Sequence, residues 1–384
     1  SAYRTLSEGK KSRPFWTLVG FSSVLTPLGI LGFYFVIAGY TLNYVFAMIM
    51  GKFNDLVPGQ TEAAFQDLLA SPGTLIFWMT VSLVVTAFII SRGLKAGLEK
   101  AVNILMPMLF FILLSLVIYS AFNGGMVETF KFMFTPDFSK IGANTILEAT
   151  GQAFFSLSLG SATIMVYGSY LPKDVSIPKM ACGVAFADTF VALIAGFAIF
   201  PIIFNNGMEL SSGPGLVFET LPVIFDQMPF GQVFGILFFL LLAFAAITST
   251  ISLFEPAVSN LEEKGIFTRR KASLVVGFGL WCLASLSALS LNVFKDWHPL
   301  TFNSTLENKN IMDLLEYISA NGMMLVNSFF AAIFIGWIIN RKDVLDELGL
   351  GDSYLFKFWR LIVKVLVPVV VGYLLLDFLG YGFF

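Results

Sequence analysis

Oxygen-bearing side chains are concentrated in two apolar stretches of the sequence. The first, TGQAFFSLSLGSATI at residues 150–164, places three serines around Gly160. The second, FAAITSTIS at residues 244–252, holds four hydroxyl side chains within about two helical turns. Several oxygen ligands without net charge suit a small hard cation. Both stretches are therefore candidates for binding an ion and a polar solute.

The composition indicates an integral membrane protein. Of 384 residues, 57% are hydrophobic and only 12% are charged, with a mean hydropathy of +0.82, whereas soluble domains are about one quarter charged. A net charge of −2 gives no reason to expect a nucleic-acid partner. The sequence contains no Cys/His/Asp metal cluster, no phosphate-binding glycine loop and no histidine in an apolar run, so no enzyme is predicted. Cys182 and Cys282 lie in apolar runs and are predicted to be small core residues.

Nine stretches are long and apolar enough to cross a bilayer, which takes about 20 residues each. No alternation typical of a β-barrel is found, so these spans are predicted to be helices. The predicted spans are 15–50, 73–91, 101–121, 146–169, 181–205, 231–259, 272–294, 312–340 and 361–381.

The hydroxyl-rich stretches have a structural alternative. Serine and threonine can bond back to carbonyl groups one turn earlier, and glycine lets helices approach closely. A helix break at Gly160 would instead free main-chain groups in the middle of the fourth span. Irregular main chain at that depth is tolerated only where it lines a cavity.

A carboxylate lies in a further apolar stretch, GVAFADTFVALIAG, at Asp188. Such a group inside a span costs at least a few kcal/mol and usually marks an ion path. The alternative is a neutral or snorkelling side chain, because Asp188 lies only seven residues into its span. Together with the hydroxyl-rich stretches, it predicts a cation and a small polar solute bound near the bilayer centre.

Lysine and arginine are distributed unevenly among the loops. The N-terminal segment and every second loop hold seventeen of them, and the intervening loops hold five. The positive-inside rule therefore places Ser1 on the cytoplasmic side. The opening SAYRTLSEGKKSRPFW has no initiator methionine and no signal-peptide pattern, so we expect sequence upstream of Ser1.

Several motifs resemble the neurotransmitter:sodium symporter family in its bacterial branch. GQAFFSLSLG and AAITSTISLFEP resemble the broken sixth helix and the eighth helix of the family, and FYFVIAGYTL resembles the third. RGLKAGLEK and GPGLVFETLP resemble two of its loops, and the matches keep the family's order along nearly the whole chain. The resemblance implies an all-α, inverted-repeat transporter fold with broken helices, in which the nine spans are helices three to eleven and the first two are absent. A single transmembrane transporter domain would then comprise the remainder of a first repeat at 1–145, a second repeat at 146–340 and an additional C-terminal helix at 341–384.

The resemblance also implies roles for individual residues. Tyr34 would bind the substrate carboxylate. The rest of the substrate pocket would be formed by Ile30, Phe155, Ser158, Ser161 and Leu253. The sodium ligands would be Ser156 and Asp188 for one ion and Ala245, Thr248 and Ser249 for the second. The outer gate would contain Gln152 and Glu316, with Asp313 as a rival for the acidic position.

The implied function is that of a sodium-coupled symporter that imports amino acids by alternating access across the bacterial inner membrane. Sodium ions would be the coupling ions, with no other cofactor. Ser161 falls where some members of the family carry phenylalanine, which favours bulky hydrophobic or aromatic substrates. Animal members carry asparagine in place of Asp188 and depend on chloride, so this carboxylate could supply the missing negative charge. The alternatives are a membrane amino-acid sensor that does not transport and an inactive transporter fragment.

Overall fold

The computed structural model describes residues 2–53, 60–139, 141–172, 174–205, 213–300 and 306–379. Within these residues every regular element is a helix, and eight helices are long and apolar enough to cross a membrane. We number the membrane helices, including a shorter broken pair, in chain order. They are α1 (Arg13–Ile49), α2 (Pro72–Ser91), α3 (Lys100–Asn123), α4 (Ala143–Ser156), α5 (Ala162–Ser169), α6 (Ile177–Asn205), α7 (Gly231–Glu263), α8 (Arg269–Leu289), α9 (Ile311–Ile338) and α10 (Tyr354–Phe378).

Shorter helices lie between the membrane helices or at their ends. A π-helical turn leads into α3, and further π-turns interrupt α9 and α10. The segments between α1 and α2, between α3 and α4, and between α6 and α7, predicted as outer loops, each contain helical structure. The short elements are Ala2–Leu6, Gln60–Ala70, Leu94–Glu99, Met126–Phe134, Leu216–Thr220, Leu221–Gln227 and Arg341–Leu348.

The fourth predicted span, 146–169, is a broken helix, as its motif led us to expect. It forms α4 and α5, and neither half alone is long enough to cross a bilayer. The other eight predicted spans correspond to the eight long helices. The last begins at Tyr354, seven residues before its predicted start, because its first two turns mix charged and apolar residues. Positions 380 and 381 of that prediction lie outside the described residues.

α1 is the central helix of the bundle. It packs against α2, α7, α8 and the first half of α9, and most of its middle section is buried. At Gly39 a Cβ atom would lie 2.6 Å from the main-chain nitrogen of Met79, so only glycine allows α1 and α2 to cross this closely. Near the same end, the Tyr44 hydroxyl donates to the carbonyl of Phe218 at 2.9 Å inside a cluster of aromatic rings. This packing fixes the helix that carries Ile30 and Tyr34.

The break between α4 and α5 is set by its main-chain conformation. Ser158 and Gly160 have φ values of +52° and +78°, in the left-handed region that favours glycine. A Cβ atom at Gly160 would lie 2.1 Å from the carbonyl oxygen of Met324 on α9. Ser161 begins α5 as its N-cap and donates its hydroxyl to the carbonyl of Ser158 at 2.9 Å. A side chain at position 160 would therefore push the break away from α9.

The prediction that Cys182 and Cys282 are core residues is wrong. Both are free thiols and both are exposed on the surface of their helices. Apolar residues suit a lipid-facing helix surface as well as a protein core. A hydrophobic run in a membrane protein therefore does not distinguish the two locations.

Candidate functional site

A cavity of about 650 Å³ lies where α1, α7 and α9 meet the break between α4 and α5. Ten of the residues singled out in the sequence line it. They are Ile30, Tyr34, Gln152, Phe155, Ser156, Ser158, Ser161, Thr248, Ser249 and Leu253. The fold thus brings the two hydroxyl-rich stretches, which are almost 90 residues apart in the chain, to one cavity.

The α7 side of the cavity presents hydroxyl oxygens in a fixed orientation. Thr248 donates its hydroxyl hydrogen to the carbonyls of Phe244 at 3.0 Å and Ala245 at 2.9 Å. A hydroxyl has one hydrogen and two lone pairs, so this bond leaves oxygen lone pairs available to a cation. The helix-bonding alternative and the cation-binding interpretation are therefore compatible at this residue.

Tyr34 connects α1 to the same set of oxygens. Its hydroxyl lies within hydrogen-bonding reach of the Ser249 hydroxyl, and both side chains line the cavity. A ligand that bonds to Tyr34 would therefore lie next to the oxygens of α7. This geometry can couple an anionic group on a solute to a cation on α7.

Asp188 lies beside the cavity and does not line it. It is exposed on α6 and accepts a hydrogen bond from the Ser156 hydroxyl at 2.6 Å. Because Ser156 does line the cavity, the serine links the carboxylate to the broken helix. A cation between the two side chains would have an anionic and a neutral oxygen ligand, which suits a hard ion.

Three other predicted residues lie outside the cavity lining. Ala245 is one turn before Ser249, and its carbonyl is held by the Thr248 hydroxyl. Asp313 and Glu316 lie in the first turns of α9, and Glu316 is the more exposed of the two. The charged neighbours of Glu316 are Asp313 and Lys309.

Five lining residues were not singled out in the sequence, and a sixth, Ser252, was noted only as one of the four hydroxyls of the stretch 244–252. Ser252 lies one turn after Thr248 on the same helix and donates to the Thr248 carbonyl at 3.0 Å. Tyr167 reaches it from α5, donating to the Ser252 hydroxyl at 2.6 Å. The remaining four are apolar and carry no pattern that distinguishes them from other core residues. They are Leu98, Val102, Met106 and Met324.

A buried ionic network lies beyond the cavity, at the end of α7. Glu255 is 1% exposed and pairs with Arg269, the first residue of α8. The other oxygen of Glu255 accepts hydrogen bonds from Tyr170 at 2.7 Å and Ser259 at 2.8 Å. Arg269 also donates to Glu262 at 3.0 Å. The network ties the end of α5 to α7 and α8 on the side that the charge distribution predicts to be cytoplasmic.

Sequence comparison places the chain among known transporters. The model of the sodium:neurotransmitter symporter family matches residues 60–380. An uncharacterized sodium-dependent transporter of Haemophilus influenzae is 33% identical over 96% of this chain and 80% of its own length. The uncharacterized sodium-dependent transporter YhdH of Bacillus subtilis is 31% identical over 96% of this chain and 81% of its own.

A human relative and a solved structure extend the comparison. The Sodium- and chloride-dependent creatine transporter 1 of Homo sapiens is 24% identical over 74% of this chain and 46% of its own length. The crystal structure of MhsT in complex with L-phenylalanine superposes with a TM-score of 0.86 and 35% identity, covering 98% of this chain and 83% of MhsT. The helices of this chain therefore have the arrangement found in MhsT.

Proposed function

Because the chain belongs to the sodium:neurotransmitter symporter family, whose members are transporters and not enzymes, we propose that it imports amino acids with sodium by alternating access. The observation that carries this proposal is the cavity itself. It joins the irregular main chain of the broken helix to the hydroxyl row of α7. Irregular main chain at membrane depth is a recurrent feature of ion and substrate sites in transporters.

The polar groups around the cavity divide into three sets with separate roles. Ser156 and Asp188 serve one sodium ion. The Ala245 carbonyl and the hydroxyls of Thr248 and Ser249 serve a second. Tyr34 binds the substrate carboxylate, and its proximity to Ser249 supports coupling between substrate and ion. Ion and substrate together then stabilise the closed form from which the cytoplasmic side opens.

The substrate is a bulky hydrophobic or aromatic amino acid. The cavity has room for one, at about 650 Å³, and its apolar walls include Ile30, Phe155 and Leu253. The complex of MhsT with L-phenylalanine supports this choice. Ser161 contributes a small side chain where a larger one would reduce the volume.

A direct test of binding uses labelled phenylalanine and the purified protein. We expect saturable binding in sodium that is lost when potassium replaces sodium, because the chain belongs to a sodium-coupled family. Competition should rank tryptophan, tyrosine and leucine above alanine and glycine. Binding that is equal in potassium, or a ranking in which alanine and glycine compete best, would contradict the proposed site.

Thr248→Val is predicted to lower the apparent sodium affinity by about 10- to 100-fold, because an oxygen that bonds to a charged partner contributes roughly 1.5–3 kcal/mol. Valine keeps the shape and removes the oxygen. The measurement is the sodium dependence of phenylalanine binding. Thr17→Val is the matched control, since Thr17 also bonds back to a carbonyl four residues earlier, at 2.8 Å, but lies at the start of α1. If the sodium dependence is unchanged in Thr248→Val, the Thr248 hydroxyl does not bind sodium and only bonds to carbonyls of its own helix.

Ser161→Phe is predicted to shift the preference from aromatic toward smaller substrates. In a hydrophobic pocket, each methylene-sized misfit changes discrimination by about 10–200-fold, and a phenyl ring removes more space than that. The measurement is the ratio of tryptophan to alanine affinity. Ser169→Phe, an exposed position outside the cavity lining on the same helix, should leave the ratio unchanged. An unaltered ratio in Ser161→Phe would show that this position does not limit the substrate.

A further inference from the structure

A second cavity, of about 760 Å³, lies where α2 ends and α8 begins. Three of its lining residues are arginines, and no acidic side chain is among the described residues that line it. We call it the arginine pocket, and its lining consists of Ser91, Arg92, Gly93, Ala96, Thr268, Arg269 and Arg270. The distribution of lysine and arginine predicts that it opens at the cytoplasmic surface of the membrane.

Two of the three arginines are uncompensated. Arg269 is held by Glu255 and Glu262 and donates to the carbonyl of Ile90 at 2.9 Å, so it forms a rigid, neutralised wall. Arg92 and Arg270 are exposed, and neither forms an ion pair with any residue in the described ranges. The Arg92 guanidinium lies 4.3 Å from the centre of the Phe88 ring, which holds it at the helix end. The pocket therefore presents two positive charges without an anion.

Each of these two arginines lies at the end of a row of apolar residues that are four positions apart in the sequence, which we call a stripe. On α2 the stripe comprises Val84 and Phe88 before Arg92, and on α8 it comprises Leu274 and Phe278 after Arg270. These four apolar side chains are 56–70% exposed. Residues four apart lie on one face of a helix. Each helix thus presents a cation at the membrane surface and apolar side chains along the depth of the bilayer.

The two stripes lie on the same side of the helix pair. α2 and α8 are antiparallel and touch through Ser273, which donates to the carbonyl of Ala87 at 2.9 Å, and through Trp281, which donates to Thr80 at 2.9 Å. In each helix the next residue is rotated by about 100° about the helix axis. Seen along one common direction, this rotation runs in opposite senses in two antiparallel helices. Phe88, which follows Ala87, and Leu274, which follows Ser273, therefore lie on the same side of the contact. The stripes therefore form one groove that leads from the arginine pocket into the membrane.

We propose that this groove and the arginine pocket bind one anionic glycerophospholipid of the cytoplasmic leaflet. The guanidinium groups of Arg92 and Arg270 take the headgroup phosphate, for which arginine is well suited by its fixed fork of donors. The acyl chains lie along Phe88, Leu274 and Phe278. Basic pockets between membrane helices on the cytoplasmic side are typical sites for such headgroups.

The test measures lipid retention by native mass spectrometry on the delipidated protein, with phosphatidylglycerol and phosphatidylcholine of identical chains as probes. We expect retention of phosphatidylglycerol in preference to phosphatidylcholine. The double variant Arg92→Gln/Arg270→Gln should weaken phosphatidylglycerol binding about 25-fold, which is fivefold for each arginine. The matched control is Arg4→Gln/Lys342→Gln, which removes two exposed charges from the same predicted side of the membrane without touching the pocket.

Three outcomes would overturn the proposal. One is equal retention of the two lipids by the unmodified protein, which needs no variant to fold. The second is unchanged phosphatidylglycerol binding in the arginine double variant, or an equal loss in its control. The third is displacement of phosphatidylglycerol by an equimolar amount of inorganic phosphate, which would show a free-anion site to which the apolar groove contributes nothing.

Discussion

Asp188→Asn is expected to lower sodium-driven uptake in chloride-free medium by more than about a hundredfold. In the proposed mechanism, two sodium ions and a zwitterionic substrate bring net positive charge to membrane depth, and Asp188 is the carboxylate that the Ser156 hydroxyl links to the cavity. Removing a carboxylate that compensates a buried positive charge costs about 3–5 kcal/mol, because the positive charge is then left without a partner. Asparagine keeps the size and an acceptor oxygen, so the bond from Ser156 and the fold are retained.

The measurement is the initial uptake rate in chloride and in gluconate, for the unmodified and the variant protein. The unmodified protein should be indifferent to chloride. The variant should be inactive or newly stimulated by chloride, since the human relative is a sodium- and chloride-dependent transporter. Asp377→Asn on α10 is the control, and it should behave as the unmodified protein. Chloride dependence before substitution, or full activity of Asp188→Asn in gluconate, would show that this carboxylate is not the compensating charge.

Arg269→Ala is expected to destabilise the protein by about 3–5 kcal/mol, because it leaves the carboxylate of Glu255 buried without a cation. Glu255 is 1% exposed, and the hydrogen bonds from Tyr170 and Ser259 to one of its oxygens cannot replace a positive charge. Arg341→Ala removes an exposed pair, with Arg341 52% and Asp352 54% exposed, and should cost less than about 1 kcal/mol.

The free energy of unfolding is measured for both variants by detergent titration. Arg269→Ala/Glu255→Gln should recover part of the loss, since the amide no longer needs a counter-ion while keeping its hydrogen bonds. Equal losses in Arg269→Ala and Arg341→Ala would contradict the assignment of a buried pair. If the double variant is as unstable as Arg269→Ala, the lost stability comes from the packing of the arginine side chain and not from its charge.

The features of the site that could be predicted are those with a local signature. The break at Gly160 is one, because glycine among serines weakens a helix in a span where leucine would otherwise be expected. The hydroxyls of Thr248 and Ser249 also have a local signature, because polar side chains are unusual in an apolar stretch. Asp188 was singled out for the same reason, and the structure brings it to Ser156 through a hydrogen bond.

The features that could not be predicted depend on contacts between distant segments. Met324 lines the cavity because the break packs against α9, and nothing in its own segment indicates this. The pairing of Glu255 with Arg269 crosses the turn between α7 and α8 and follows no helical spacing. The exposure of Cys182 was missed because hydropathy is the same for a lipid-facing surface and a protein core.

The most direct test of sodium-coupled transport is uptake of labelled phenylalanine into proteoliposomes that contain the purified protein. An inward sodium gradient is compared with equal sodium on both sides and with potassium in place of sodium. We predict accumulation above the external concentration only with the gradient, followed by release when an ionophore dissipates it. Sodium-dependent binding without accumulation would contradict transport and indicate a sensor, and accumulation that is the same in potassium would contradict sodium coupling.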